Sequence, residues 1–146
     1  MSAENVEVVR RSIERWSEGD LEGFIEGVDP EIEWRTSGLY PGIEPVYYGH
    51  EGFRRFWRDF HEIWQSLSME IREVVAVGDR VAFSFHFDAT GHEGVRAGRD
   101  QASVATLRNG LLHRIQNYGT WDEALEALAC ERPGDEARPE PGFVDS

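Results

Sequence analysis

Val6, Val9, Ile13 and Trp16 recur at intervals of three and four among Glu and Arg, which predicts a helix over 3–17 with one apolar face. Gly19 ends that helix, and Asp20 is placed to cap a second, short one over 21–27, with core contacts at Leu21, Phe24, Ile25 and Val28. Asp29-Pro30 turns the chain, and the alternation in 31–35 predicts a short strand. Gly38, Pro41, Gly42 and Pro45 then argue for an irregular loop, which carries Tyr40, Tyr47 and Tyr48. A long amphipathic helix is predicted over 50–66, with Phe53, Phe56, Trp57, Phe60, His61 and Trp64 on one face and Arg54, Arg55, Arg58 and Asp59 on the other. Strands follow at 69–77, 80–89 and 95–108, divided by Gly78-Asp79 and by 91–94. Asn109-Gly110 is a hairpin signal leading into 111–118, and a short helix over 121–129 closes the pattern.

Helices, a strand, a long helix and then a meander imply an α+β domain with helices on one face of a curved sheet. The domain occupies 1–130. Residues 131–146 hold half of the six prolines and little apolar material, so an acidic, disordered tail is expected there.

With 146 residues and 40% hydrophobic content, the chain can bury a core of one domain. Its 28 acidic residues face 15 basic ones, all Arg, for a net charge of −13. The absence of Lys excludes Schiff-base and P-loop chemistry, and the acidic balance argues against nucleic acid and anionic membranes as partners. Much of the acidity lies in 1–31, where nine acids face three Arg as a solvated coat on the helices. A single Cys130 rules out an internal disulfide and a multi-cysteine metal site. No signal peptide or membrane span is legible, so a cytoplasmic location is expected.

Four segments resemble the SnoaL-like branch of the NTF2-like superfamily. They are Ser17-Glu18-Gly19-Asp20-Leu21, Asp29-Pro30-Glu31-Ile32-Glu33-Trp34, Tyr48-Gly49-His50-Glu51-Gly52, and Thr106-Leu107-Arg108-Asn109-Gly110 with Arg114 and Tyr118. The resemblance implies a cone in which a curved antiparallel sheet wraps the long helix and leaves a pocket at the wide end. Relatives of this kind include ketosteroid isomerases, scytalone dehydratase, polyketide cyclases and limonene epoxide hydrolases, so the fold alone does not name a reaction.

Each chemistry can be tested against the residues present. The places where steroid isomerases hold a Tyr and two acids read Ser12, Arg35 and a position near Ser103. The epoxide-hydrolase set fails as well, because Arg99 and Asp100 are adjacent and the last strand reads Gln116-Asn117-Tyr118. A cyclase needs one acid–base group, for which His113 leads, with Asp100 and then His50 behind it.

By period two, His113, Ile115 and Asn117 share a face, opposite Gln101, Ser103, Ala105 and Leu107 on the partner strand. A slip of one residue would turn that face outward. Gln101, Ser103 and Asn117 are expected to orient a carbonyl or hydroxyl, while Trp16, Trp34, Tyr48, His50, Trp57 and Phe60 shape a cavity for an apolar, cyclic molecule. The plain alternative is that these aromatics are simply core.

No metal or cofactor is expected. His61-Glu62 has Gln65 where a zinc helix needs its second His, and the face carrying His86 and Asp88 lies opposite an apolar Phe stripe. The expected reaction class is therefore a cyclisation, isomerisation or hydrolysis by acid–base chemistry. A non-catalytic ligand-binding or dimerisation module is the other reading. A homodimer through the outer sheet face is expected, with Ala102, Val104 and Thr106 in the contact.

Overall fold

The computed structural model describes residues 2–36 and 43–130. The expected tail, and the part of the loop holding Gly38, Tyr40, Pro41 and Gly42, lie outside them. The chain runs α1 (Ser2–Ser17), α2 (Leu21–Glu26), β1 (Val28–Arg35), β2 (Val46–Tyr48), α3 (Gly49–Ile63), β3 (Trp64–Val77), β4 (Arg80–Gly91), β5 (Arg96–Arg108), β6 (Leu111–Tyr118) and α4 (Trp121–Cys130).

Local chemistry explains most of these boundaries. The Asp20 side chain accepts from the Gly23 N–H at 2.9 Å and starts α2. Asn109 and Gly110 both take positive φ (56° and 78°), the geometry of a tight two-residue hairpin turn. Thr120 and Glu123 cap α4 reciprocally, with the Glu123 N–H on Thr120 Oγ1 (3.1 Å) and the Thr120 N–H on Glu123 Oε1 (3.2 Å).

Three expectations need correction. The long helix stops at Ile63, because Trp64 is already extended (φ −118°, ψ 136°) and pairs with Gly91. Trp64 lies four residues after Phe60 and so continues the helical stripe, yet a register shift between Trp64 and Ser66 lets it share the inward face of the strand with Leu67 and Met69. Within the supposed loop, Val46–Tyr48 forms a short strand on β1, which alternation splits into a fully buried Tyr47 and an outward Tyr48. Finally, the sheet is not wholly antiparallel. Its order is β2-β1-β6-β5-β4-β3, and β1 runs parallel to β6, a pairing between residues far apart in sequence that local pattern cannot reveal.

The inner face of the sheet wraps α1, α2 and α3 around a core rich in aromatic rings. Trp16 is the hub, with ring centroids 4.9 Å from Phe24, 5.8 Å from Trp34, 5.6 Å from Phe56 and 4.8 Å from Trp57. Gly52 lets α3 approach β2 closely, since a Cβ there would meet the Tyr47 backbone at 3.2 Å.

The outer face is covered by α4, with Ala124 and Leu128 packed on Ala82, Ala102 and Val104. Ala102 and Val104, expected to meet a second copy, are therefore buried within the chain itself, while Thr106 is half-buried outside that contact. At the far edge, Ser17 Oγ receives the Met69 N–H (3.1 Å) and donates to its carbonyl (3.3 Å), which occupies exposed backbone groups of β3.

Candidate functional site

Between α1, α3 and the inner face of the sheet lies a cavity of about 90 Å³. Most of its wall is apolar. Trp16, Phe53, Phe56 and Phe60 come from the helices, and Phe83, Phe85 and Phe87 from alternate positions of β4. Its polar lining among the described residues is Ser12, Ser103 and Asn117, together with the indoles of Trp16, Trp34 and Trp64. No Asp, Glu, His, Arg, Cys or Tyr among the described residues lines it.

Ser103 and Asn117 sit directly opposite each other on β5 and β6, with Ala105 opposite Ile115. Both polar residues are buried, at 3% and 4% exposure. Asn117 Oδ1 accepts two hydrogen bonds, from Trp34 Nε1 at 3.2 Å and from Ser103 Oγ at 3.0 Å. Strand β1 delivers the indole, β5 the hydroxyl and β6 the amide, so three neighbouring strands converge on one atom.

The other candidates distribute differently. Trp16, Trp34, Phe60, Ser103 and Asn117 line the cavity. Gln101 is buried two positions along the same face of β5 but does not line it, and Trp57 backs Trp16 edge-on from behind. Tyr48 points away and is 62% exposed. His50, in the first turn of α3, donates from Nε2 to the Val28 carbonyl at 2.7 Å, outside the cavity.

His113 is also absent from the cavity wall, and the reason is a β-bulge. Thr106 pairs with Arg114 while the next residue, Leu107, pairs with Leu112, so His113 is the extra residue on β6. The bulge breaks the period of two. Leu112 takes the inward place, and the His113 ring turns toward Asp29, its Nδ1 3.9 Å from Asp29 Oδ2.

Asp29 in turn accepts the Glu31 N–H at 2.7 Å and pairs with Arg108 at 3.2 Å. The backbone bond first and the Arg108 guanidinium after it hold its carboxyl below the usual range, against the cost of its burial. This cluster joins β1 to the end of β5 and leaves the cavity untouched.

Asp100 stands on the outer face. It is exposed and bonded to His86 Nδ1 at 2.7 Å, while His86 Nε2 lies 3.4 Å from Asp88. Hydrogen bonding to Asp100, and then the charge of Asp88, raises the His86 pKa. Among the described residues no three His, Cys, Asp or Glu converge as metal ligands.

Tyr47 is buried beneath Arg55 and donates to Asp59 Oδ2 at 2.9 Å. Burial pushes its pKa up to about 12, so it stays a neutral phenol that braces β2 against α3.

Sequence reading missed Ser12, which had appeared only as the replacement for an isomerase tyrosine, and it missed the Phe83-Phe85-Phe87 stripe as a cavity wall. The stripe was legible as alternation, but its partner surface was not.

Over residues 9–115 the chain matches the model of the SnoaL-like domain. Similar solved structures include TerC co-crystallised with polyporic acid, at 25% identity and TM-score 0.73 over 86% of this chain and 98% of TerC. An NTF2-like protein of unknown function from Burkholderia pseudomallei K96243 aligns at 22% identity and TM-score 0.73, over 86% of this chain and 97% of its own. A candidate SnoaL-like polyketide cyclase from Jannaschia sp. CCS1 aligns at 16% identity and TM-score 0.69, covering 90% and 96%. No curated protein matches by sequence. No helix among the described residues is long and apolar enough to cross a membrane.

Proposed function

The chain belongs to the SnoaL-like family, and from that premise we propose that it reversibly binds a small, uncharged, largely apolar molecule in the sheet–helix cavity, with no acid–base group of its own at the ligand. The observation that carries this reading is the composition of the wall, which is aromatic and aliphatic with hydroxyl, amide and indole groups and no ionisable side chain among the described residues. A charged ligand entering such a wall loses its hydration and gains no counter-charge, at a cost of several kcal/mol. A neutral one gains apolar burial at about 25 cal/mol per Å².

General acid–base catalysis by His113 or Asp100 loses its support. A proton-transfer group must come within hydrogen-bond reach of the substrate, and neither lines the space. That TerC was co-crystallised with polyporic acid is consistent with an organic ligand in a relative of this fold.

Size matters as well. An apolar cavity of about 150 Å³ accepts benzene, so a space of about 90 Å³ takes a ring only as side chains give way. Trp64, Leu67 and Met69 of β3 are half-buried parts of the wall, as are Ile13, Ile43 and Ile115, and Met69 is the most adaptable of them.

Titration of the five-Trp protein with toluene, benzoate and benzylamine, followed by indole fluorescence, tests the reading. Toluene should quench saturably and the two ions at least about tenfold more weakly; Ala105→Leu, which fills the cavity, should abolish the response. Equal or tighter binding of benzoate, or conversion of a bound ligand to product, would overturn it.

A further inference from the structure

The hydrogen bonds around Asn117 fix the polarity of the Ser103 corner of the cavity, one proton at a time. The Trp34 indole nitrogen carries a hydrogen and no acceptor lone pair, so the Asn117 atom facing it at 3.2 Å must be the carbonyl oxygen Oδ1. That same oxygen faces Ser103 Oγ at 3.0 Å, and an oxygen acceptor requires Ser103 to supply the proton. Trp34 and Ser103 together fill the two lone pairs of Oδ1. The Ser103 hydroxyl, buried and lining the cavity, is therefore committed as a donor to Asn117, and what it presents to a ligand is acceptor lone pairs.

Resting on the reading that the cavity is a ligand site, we infer that its occupant is a neutral molecule bearing a hydroxyl group, an alcohol or enol, whose proton is donated to Ser103 Oγ. A ketone or ether of the same shape has no proton to give. To be bonded there it must turn the Ser103 hydroxyl away from Asn117, and it then leaves Oδ1 with one of its two donors.

Ser12, from α1, also lines the cavity, and its hydroxyl takes either role toward the ligand oxygen. Trp34 acts here as a positioning residue: it sets the orientation of the Asn117 amide, and the amide sets the direction of the Ser103 proton. The site thus differs in kind from an oxyanion hole, in which protein donors converge on a ligand carbonyl. Discrimination by one neutral hydrogen bond is modest, at roughly 2- to 12-fold in affinity.

The test pairs two probes of nearly equal size, cyclopentanol and cyclopentanone, titrated into the full chain and followed by amide and indole NMR shifts. Wild type should bind the alcohol several-fold more tightly. Ser103→Thr, which keeps the hydroxyl, should retain the preference, and Ser103→Ala should bring the two affinities within about twofold while the indole resonances still report a folded core. Equal affinities in wild type, or a preference that survives Ser103→Ala, would overturn the inference and leave the ligand site standing. Binding of neither probe would overturn the ligand-site reading itself, and this inference with it.

Discussion

The two faces of the same sheet handle polarity in opposite ways. On the inner face of β5 and β6, Ser103 and Asn117 are buried, uncharged and bonded to each other and to Trp34. On the outer face of β4 and β5, one half is sealed by α4 over Ala82, Ala102 and Val104, and the other carries the His86, Asp88 and Asp100 cluster at the surface. Period two alone places Asp100 and Ser103 on opposite sides. The consequence is chemical, because ionisable groups stay where water solvates them and the enclosed space keeps only neutral polarity. Position in sequence near an expected catalytic strand therefore says little until the face is known.

The largest expected way to break this contrast is Trp16→Ala. It removes the hub of the inner face and should cost about 3–5 kcal/mol in urea unfolding, with loss of ligand binding. On the outer face, Leu128→Ala should cost about 2–4 kcal/mol yet leave ligand affinity within twofold, which separates stability from site.

Asp29 supplies a smaller, pH-dependent effect. Its folded pKa lies below the ordinary 3.8, so its stabilisation is present above that value and disappears as pH falls through the folded value. Urea midpoints measured down the acid limb should fall less steeply in Asp29→Asn. His86 works with the opposite sign: its folded pKa is raised above 6.5, so its stabilisation is full below that value and is lost as pH rises through the folded one. Because the pair is exposed, His86→Asn should lower midpoints only slightly and only on the acid-to-neutral side, with the difference from wild type fading as pH rises through the folded value. The smallest effect belongs to His113→Ala, which should leave ligand affinity unchanged within twofold.

Much of this was legible in the chain. The hydrophobic stripes located the helices, Asp20 and Asn109-Gly110 marked a cap and a turn, and alternation placed Ser103 and Asn117 face to face. What escaped has identifiable causes. A bulge costs one residue of register and leaves no mark in a pattern of alternating residues, so His113 counted as inward when Leu112 takes that place. Trp64 suited both a helix and a strand, and only its pairing with Gly91 decides between them. The cover over Ala102 and Val104 was sought in a second copy, because nothing local in those small residues tells a helix of the same chain from a partner.

The central claim, a ligand-binding space that no ionising side chain among the described residues touches, is tested most directly by the pH dependence of ligand affinity. Toluene affinity measured from about pH 5 to about pH 9, within the folded range, should stay constant to within about twofold, because no protonation state in the wall changes. A sigmoidal or bell-shaped change of tenfold or more across that range would mean that an ionising group meets the ligand, and would contradict the account.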